Sequence, residues 1–147
     1  MPRTPEETMR RLLDLMLAKD TDAVADLWAE DGTAEFPFAA GTSPRRLTGR
    51  KEVRDYLASF PQVYDLREIS PITVHHTQRP DTVVVEYHAN GHSVRTGEPC
   101  RMDYIVVITV QDGSITRFRD YWNPLTNAAA AGTLPELLDS LRPETAR

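Results

Sequence analysis

The residues best able to do chemistry in this sequence cluster in its second half. Glu86, His88, Asn90 and His92 recur at every second position, Asp103 follows, and Asp120 stands between Phe118 and Trp122 with one residue on either side. On a strand, side chains two apart share a face, so each set would project from one side of a sheet. A carboxyl held among aromatic rings loses its water, its proton affinity rises, and it can act as a general acid or base near neutral pH. That is proton-transfer chemistry. Other chemistries find little support. The single cysteine, Cys100, excludes an internal disulfide and every cysteine-based zinc site. His75 and His76 are adjacent on a strand and point to opposite faces, so they cannot share a metal. No glycine-rich phosphate loop, dinucleotide fingerprint or Ser-His-Asp order appears. The expectation is no metal and no cofactor.

Strands must position these groups. Residues 72–77, 83–95, 100–111 and 114–122 are rich in Val, Ile, Thr and aromatics. Thr96-Gly97-Glu98-Pro99 and Asp112-Gly113 read as the turns between the last three, and Asp-Gly suits a two-residue hairpin loop. Such a loop puts Ile105 opposite Asp120, Val107 opposite Phe118 and Asp103 opposite Trp122. One face then carries Asp103, Ile105, Val107, Thr116, Phe118, Asp120 and Trp122, with no cation beyond Arg101, and we place it inward. The other carries Tyr104, Val106, Ile108, Arg117, Arg119 and Tyr121. Extending the register across Gly97 adds Glu86, His88, Asn90 and His92 to the inward set. Alternation within residues 83–95 gives the opposite result, with Val83, Val85, Tyr87 and Ala89 in the core. Both facings stand at this point. Gly91 marks either a bulge or, with Asn90, a tight turn.

The first half supplies helices. Thr4-Pro5-Glu6-Glu7 reads as an N-cap and first turn, followed by Met9, Leu12, Leu13, Met16 and Leu17 at helical spacing. Asp20 or Thr21 opens a second short helix carrying Val24, Leu27 and Trp28 and stopped near Gly32. Residues 33–39 form a strand broken by Pro37, and residues 42–46 a loop. Thr48-Gly49 opens a third helix with Val53, Leu57 and Phe60 inward, ended by Pro61. Residues 126–147 form a loose, Ala-rich C-terminal tail with one short helix from Thr133. Helices followed by a strand meander predict one α+β domain over 1–147: a curved, mostly antiparallel sheet wrapped around helices. This cystatin-like roll leaves a cone-shaped pocket, a common place for a small molecule.

Bulk properties narrow the partners. The 147 residues carry a formal net charge of −5, and the only basic cluster is Arg45, Arg46, Arg50 and Lys51. Nucleic acid is not expected, because its binders need a one-signed basic surface. No apolar run approaches the roughly 20 residues of a spanning helix, so no membrane partner is expected. The N-terminus lacks an apolar secretory core and the lone thiol fits a reducing compartment, so a cytoplasmic location is expected.

Several segments together resemble the SnoaL-like proteins of the nuclear-transport-factor-two-like superfamily: Leu27-Trp28-Ala29-Glu30-Asp31, Glu35-Phe36-Pro37-Phe38, Leu47-Thr48-Gly49-Arg50 and Asp112-Gly113-Ser114-Ile115. The segment from Phe118 to Leu125, with Asp103-Tyr104 ahead of an apolar strand, is most similar to the phenazine-biosynthesis A/B branch. The resemblance implies that Phe118, Asp120 and Trp122 line the cavity and that Asp120 does proton-transfer work. It also implies that this is not a steroid isomerase, because Leu12, Phe36 and Ile105 stand where those enzymes carry their catalytic groups. The expected function is a cofactor-independent enzyme (isomerase, cyclase, dehydratase or condensation type) acting on a small, partly aromatic metabolite, in secondary metabolism. Asp120 would carry the proton with Asp103, Glu86 or His88 as partner. Phe36, Phe38, Phe118 and Trp122 would form the walls, and Asn90 and Arg101 would contact the ligand. The alternative is a binding or scaffold protein with the same pocket. A homodimer is expected through Tyr104, Val106, Ile108 and Tyr121, which are too apolar to leave wet as one patch.

Overall fold

The computed structural model describes residues 2–146. Helix α1 (Pro5–Leu17) begins at Thr4, whose hydroxyl accepts from the Glu7 amide at 3.1 Å. Its inner stripe, including Met9, Leu12 and Leu13, is buried. Helix α2 (Thr21–Ala25) is shorter than the apolar spacing predicts. Trp28 instead opens strand β1 (Trp28–Glu35), where its indole donates to the Thr33 carbonyl at 3.2 Å and its ring meets Phe118. Strand β2 (Arg46–Thr48) follows where a loop was expected, then α3 (Arg50–Ala58) and the short α4 (Phe60–Val63). Pro61 lies in the first turn of α4, where a missing N–H is tolerated, rather than ending α3.

Strand β3 (Tyr64–Ile69) has no counterpart in the sequence reading. Its charged positions hide the pattern. Asp65 is ion-paired to Lys19 and, at 2.8 Å, to Arg67, while Tyr64 and Leu66 are buried. Strands β4 (Thr73–His76), β5 (Thr82–Ser93), β6 (Pro99–Gln111) and β7 (Ser114–Trp122) lie where composition places them. The seven strands form one sheet in the order β2-β1-β7-β6-β5-β3, with β4 also on β5. Every pairing is antiparallel except β1 with β7. The main core lies between this curved sheet and the helices, and includes the fully buried Met9, Val24, Val53, Val85, Val106, Ile108 and Ile115.

The register of the last hairpin corrects the expected facing. The two-residue turn is present, with Asp112 and Gly113 both at positive φ (52° and 80°), the primed geometry that suits strand twist. Beyond it the ladder slips by one residue. Val110 faces Ile115 but Thr109 faces Arg117, so Thr116 is an extra residue in β7. From there Tyr104 pairs with Trp122, Val106 with Asp120 and Ile108 with Phe118. Asp103, Ile105 and Val107 therefore share the outer face with Tyr121, while Tyr104, Val106 and Ile108 point in. The dimer patch read from the sequence dissolves with this change, because Val106 and Ile108 have no exposed surface. On β5 the alternation reading holds: Val83, Val85 and Ala89 are buried, and Glu86 and His88 face outward. The strand runs straight through Gly91, with no tight turn. The β3 backbone packs so closely there that a Cβ on Gly91 would lie 2.2 Å from the Asp65 carbonyl oxygen, and the extra residue, Arg67, is on β3.

The segment after β7 is ordered into helices rather than a loose tail. Asn123 caps α5 (Pro124–Ala131) through the Leu125 amide at 2.9 Å, and Gly132 ends it at φ 76°. The buried Ser93 hydroxyl donates to the Ala130 carbonyl at 2.7 Å, pinning α5 to the end of β5. Helix α6 (Leu134–Ser140) follows.

Candidate functional site

A cavity of about 120 Å³ opens between the concave face of the sheet and helices α1, α3 and α5. Its wall is aromatic. Trp28 and Phe118 lie with ring centres 5.1 Å apart, Phe36 lies 5.0 Å from Tyr56 and 6.1 Å from Trp122, and Tyr87 stacks on Tyr104 at 4.9 Å. β7 delivers Phe118, Asp120 and Trp122, β5 delivers Tyr87, β6 delivers Tyr104, and α3 delivers Tyr56. Asn127 of α5 is the remaining polar side chain with an amide to offer.

Asp120 is the one acid on this wall, and no Lys, Arg or His joins it among the described residues. It is half-buried, and its Oδ1 is fully covered with no hydrogen-bond donor among the described residues. Burial pushes the Asp120 carboxyl up to about 7. Three phenols surround it. Burial first, and the charge of Asp120 second, hold Tyr56 up to about 12 and push Tyr87 and Tyr104 well above the ordinary tyrosine range. All three therefore stay protonated and can act as hydroxyl donors. None of the three hydroxyls has a hydrogen-bond partner among the described residues. Tyr64 differs: its hydroxyl donates to the Cys100 carbonyl at 3.1 Å and lies 3.3 Å from that of Ala89, a structural role in the sheet.

The other expected site residues lie elsewhere. Glu86, His88, Asp103 and Phe38 line an open groove of about 800 Å³ with the outward-facing Ile105 and Tyr121, and Tyr87, Tyr104 and Trp122 of the cavity wall also border it. Asp103 is bound by the Arg101 guanidinium at 2.9 Å, which holds its carboxyl below the usual range. Glu86 meets the His75 imidazole at 2.6 Å. Asn90 reaches only Glu68, at 3.5 Å, and Arg101 is exposed. Phe38 is 59% exposed and packs edge-on against Tyr121 at 5.2 Å. Of the residues singled out from sequence, then, Asp120, Phe36, Phe118 and Trp122 converge on the cavity. Tyr56, Tyr104, Trp28 and Asn127 were not foreseen there, and Tyr87 was placed inward only by the alternation within its own strand. Ile105, matched from sequence to a steroid-isomerase catalytic position, faces outward, and its inward neighbours Tyr104 and Val106 are not acids. Among the described residues no three His, Cys, Asp or Glu side chains converge as a metal would need, and no helix is long and apolar enough to cross a membrane.

Residues 9–118 match the model of the SnoaL-like domain. The chain belongs to the SnoaL-like family. The uncharacterized protein YesE of Bacillus subtilis is 40% identical to this SnoaL-like chain over 126 residues, 86% of each. The uncharacterized PhzA/B-like protein PA3332 of Pseudomonas aeruginosa is 31% identical over 127 residues, 86% of this chain and 89% of that one. A solved Bacillus subtilis structure is 39% identical and superposes with a TM-score of 0.84, covering 88% of this chain and 93% of that one. The PhzA/B-like relative agrees with the branch to which the Phe118 to Leu125 segment is similar. The family match stops two residues short of Asp120, so the case for that carboxyl rests on its surroundings.

Proposed function

We propose that this SnoaL-like protein is a cofactor-independent enzyme that moves a proton on a small, partly aromatic metabolite, with Asp120 as the proton carrier. The observation that supports this most is the one carboxyl of the cavity wall, half-buried, with a covered Oδ1 that has no partner among the described residues. With its proton affinity near neutrality it can both take and return a proton, the condition general acid–base catalysis favours. Tyr56, Tyr87 and Tyr104 supply neutral donors that would stabilise negative charge developing on a substrate oxygen or nitrogen. One carboxyl that removes a proton from one atom and delivers it to another suffices for isomerisation. Dehydration or condensation ordinarily needs a separate acid, and Asp103, Glu86 and His88 are on the far side of the sheet. Isomerase-type proton transfer is therefore the chemistry we favour.

The same observation favours a second reading. Among the described residues the cavity wall holds no second acid or imidazole, which suits a binder with no turnover. The two readings separate in deuterium oxide, where NMR follows exchange of α-protons on small ketones and imines that bind the protein. The enzyme reading expects exchange well above buffer, reduced at least about a hundredfold by Asp120→Asn. A probe that binds without exchanging supports the binder, and exchange unchanged by the substitution removes Asp120 from the reaction.

A homodimer through the outer face remains part of the proposal, on a patch that keeps only Tyr121 of the residues first expected. Phe38 (59% exposed) and Ile105 (44% exposed) flank Tyr121 there. A cytoplasmic location fits the single thiol.

A further inference from the structure

We propose that the cavity selects a small protonated amine carrying at least one N–H, with Asp120 as its counter-ion and the aromatic wall as its cage. This deepens the reading of Asp120 as the functional group of the cavity, and rests on it. Three observations carry it. The first is charge. No cation lines the wall among the described residues, so an anionic ligand would meet Asp120 with nothing to neutralise either charge, whereas an ammonium would supply the charge the site lacks. The second is the carboxyl's shortage of donors: it lines the cavity, and its covered Oδ1 has no donor among the described residues. A carboxylate short of donors in an apolar wall is costly, so a ligand that brings an N–H to this carboxyl offsets that cost. This is why a quaternary ammonium, which has no N–H, fits less well.

The third observation is the wall itself. Eight aromatic side chains line the cavity, among them Trp28, Phe36, Phe118 and Trp122 beside the three phenols around Asp120. The faces of such rings attract a cation, more so when it is desolvated, and they accept its alkyl groups. The volume, about 120 Å³, limits the ligand to one small ring or a short branched chain, since an apolar cavity of about 150 Å³ takes benzene. The groups that titrate facing Asp120 are Tyr56 from α3, Tyr87 from β5 and Tyr104 from β6. All three remain neutral through the physiological range, so the charge of the cavity wall follows Asp120 alone.

The test compares cyclohexylamine, cyclohexanol and cyclohexanecarboxylate, which share a ring and differ in charge, by NMR titration or calorimetry between pH 5.5 and 8.5. Cyclohexylamine should bind at least about tenfold more tightly than cyclohexanol at pH 8.5 and weaken toward pH 5.5 as Asp120 is protonated. Cyclohexanol should be indifferent to pH, and the carboxylate should be the weakest at pH 8.5. Asp120→Asn should abolish the advantage of the amine while leaving cyclohexanol bound. If Asp120→Asn does not fold, the pH dependence of the amine against that of the alcohol decides the matter alone. Cyclohexanol binding as tightly as the amine at pH 8.5 would overturn the amine inference and leave the cavity reading standing. No binding by any of the three would overturn both.

Discussion

Asp103 and Asp120 are the same side chain on opposite faces of one sheet, and their surroundings give them opposite properties. On the outer face Asp103 is mostly in water and held ionised by Arg101, in a groove that also carries Glu86, His88 and, against Glu86, His75. On the inner face Asp120 stands alone among rings, and burial raises its proton affinity. The outer groove has more residues of the types that do chemistry. It is nonetheless the poorer candidate, because solvated, partnered groups gain little from one another. What marks the inner face is a carboxyl whose Oδ1 has no partner among the described residues, set in an aromatic cavity wall; His92 Nδ1 and Arg119 Nε are likewise covered and unpartnered but belong to no such cavity.

The sharpest way to break this comparison is to neutralise each acid in turn. Asp120→Asn should lower turnover at least about a hundredfold while the protein stays folded, whereas Asp103→Asn should leave turnover within about twofold. An Asp103→Asn variant as inactive as Asp120→Asn would return the functional site to the outer groove. Within the cavity, Tyr104→Phe should reduce turnover on the order of tenfold with little change in melting temperature, since it removes a donor that no protein group uses. Tyr64→Phe offers the contrast: roughly 1 kcal/mol of stability lost, with activity following only folding, because its hydroxyl bonds sheet carbonyls.

Stability against pH sharpens the comparison further. In the unfolded chain Asp120 ionises near its ordinary value, and in the folded protein near 7, so between these limits the folded state holds one more proton. The contribution of Asp120 to stability therefore falls as pH rises from about 4 to about 7 and is constant above. Asp120→Asn lacks this loss. Relative to the parent it should become progressively more stable across that window, by roughly 2–4 kcal/mol at pH 8, as read by denaturant melts at several pH values. A parallel offset at all pH values would show that Asp120 ionises normally in the fold. The smallest expected effect concerns assembly. Ile105→Asp on the outer face should shift a dimer toward monomer in light scattering without altering the cavity, and a parent that is monomeric at high micromolar concentration would dispose of the dimer.

Much of this was legible in the sequence wherever one strand speaks for itself. The helical stripe of α1, the strands from residue 72 onward, the Asp112-Gly113 turn and the inward set Phe118, Asp120 and Trp122 follow from alternation and turn chemistry. Errors entered where one strand was used to orient another. Within β6, Met102, Tyr104, Val106, Ile108 and Val110 form an unbroken apolar alternation that by itself points inward, as Val83, Val85, Tyr87 and Ala89 do on β5. Counting across the hairpin overrode that signal, because Thr116 bulges out of the ladder and nothing in its type announces it. One unmarked residue exchanged the faces of β6, and with them Tyr104 for Asp103. β3 was hidden for another reason, since its alternating charges are stabilised by an ion-pair cluster with Lys19 that only the fold assembles.

The central claim is that Asp120 is an unpartnered carboxyl whose proton affinity the cavity has raised. The most direct measurement is the ¹³C chemical shift of its side-chain carboxyl as a function of pH, with the resonance assigned by its absence in Asp120→Asn. The account predicts a titration midpoint near 7, well separated from that of Asp103. A midpoint at or below about 4 would mean that Asp120 is solvated or paired in solution, and would contradict it.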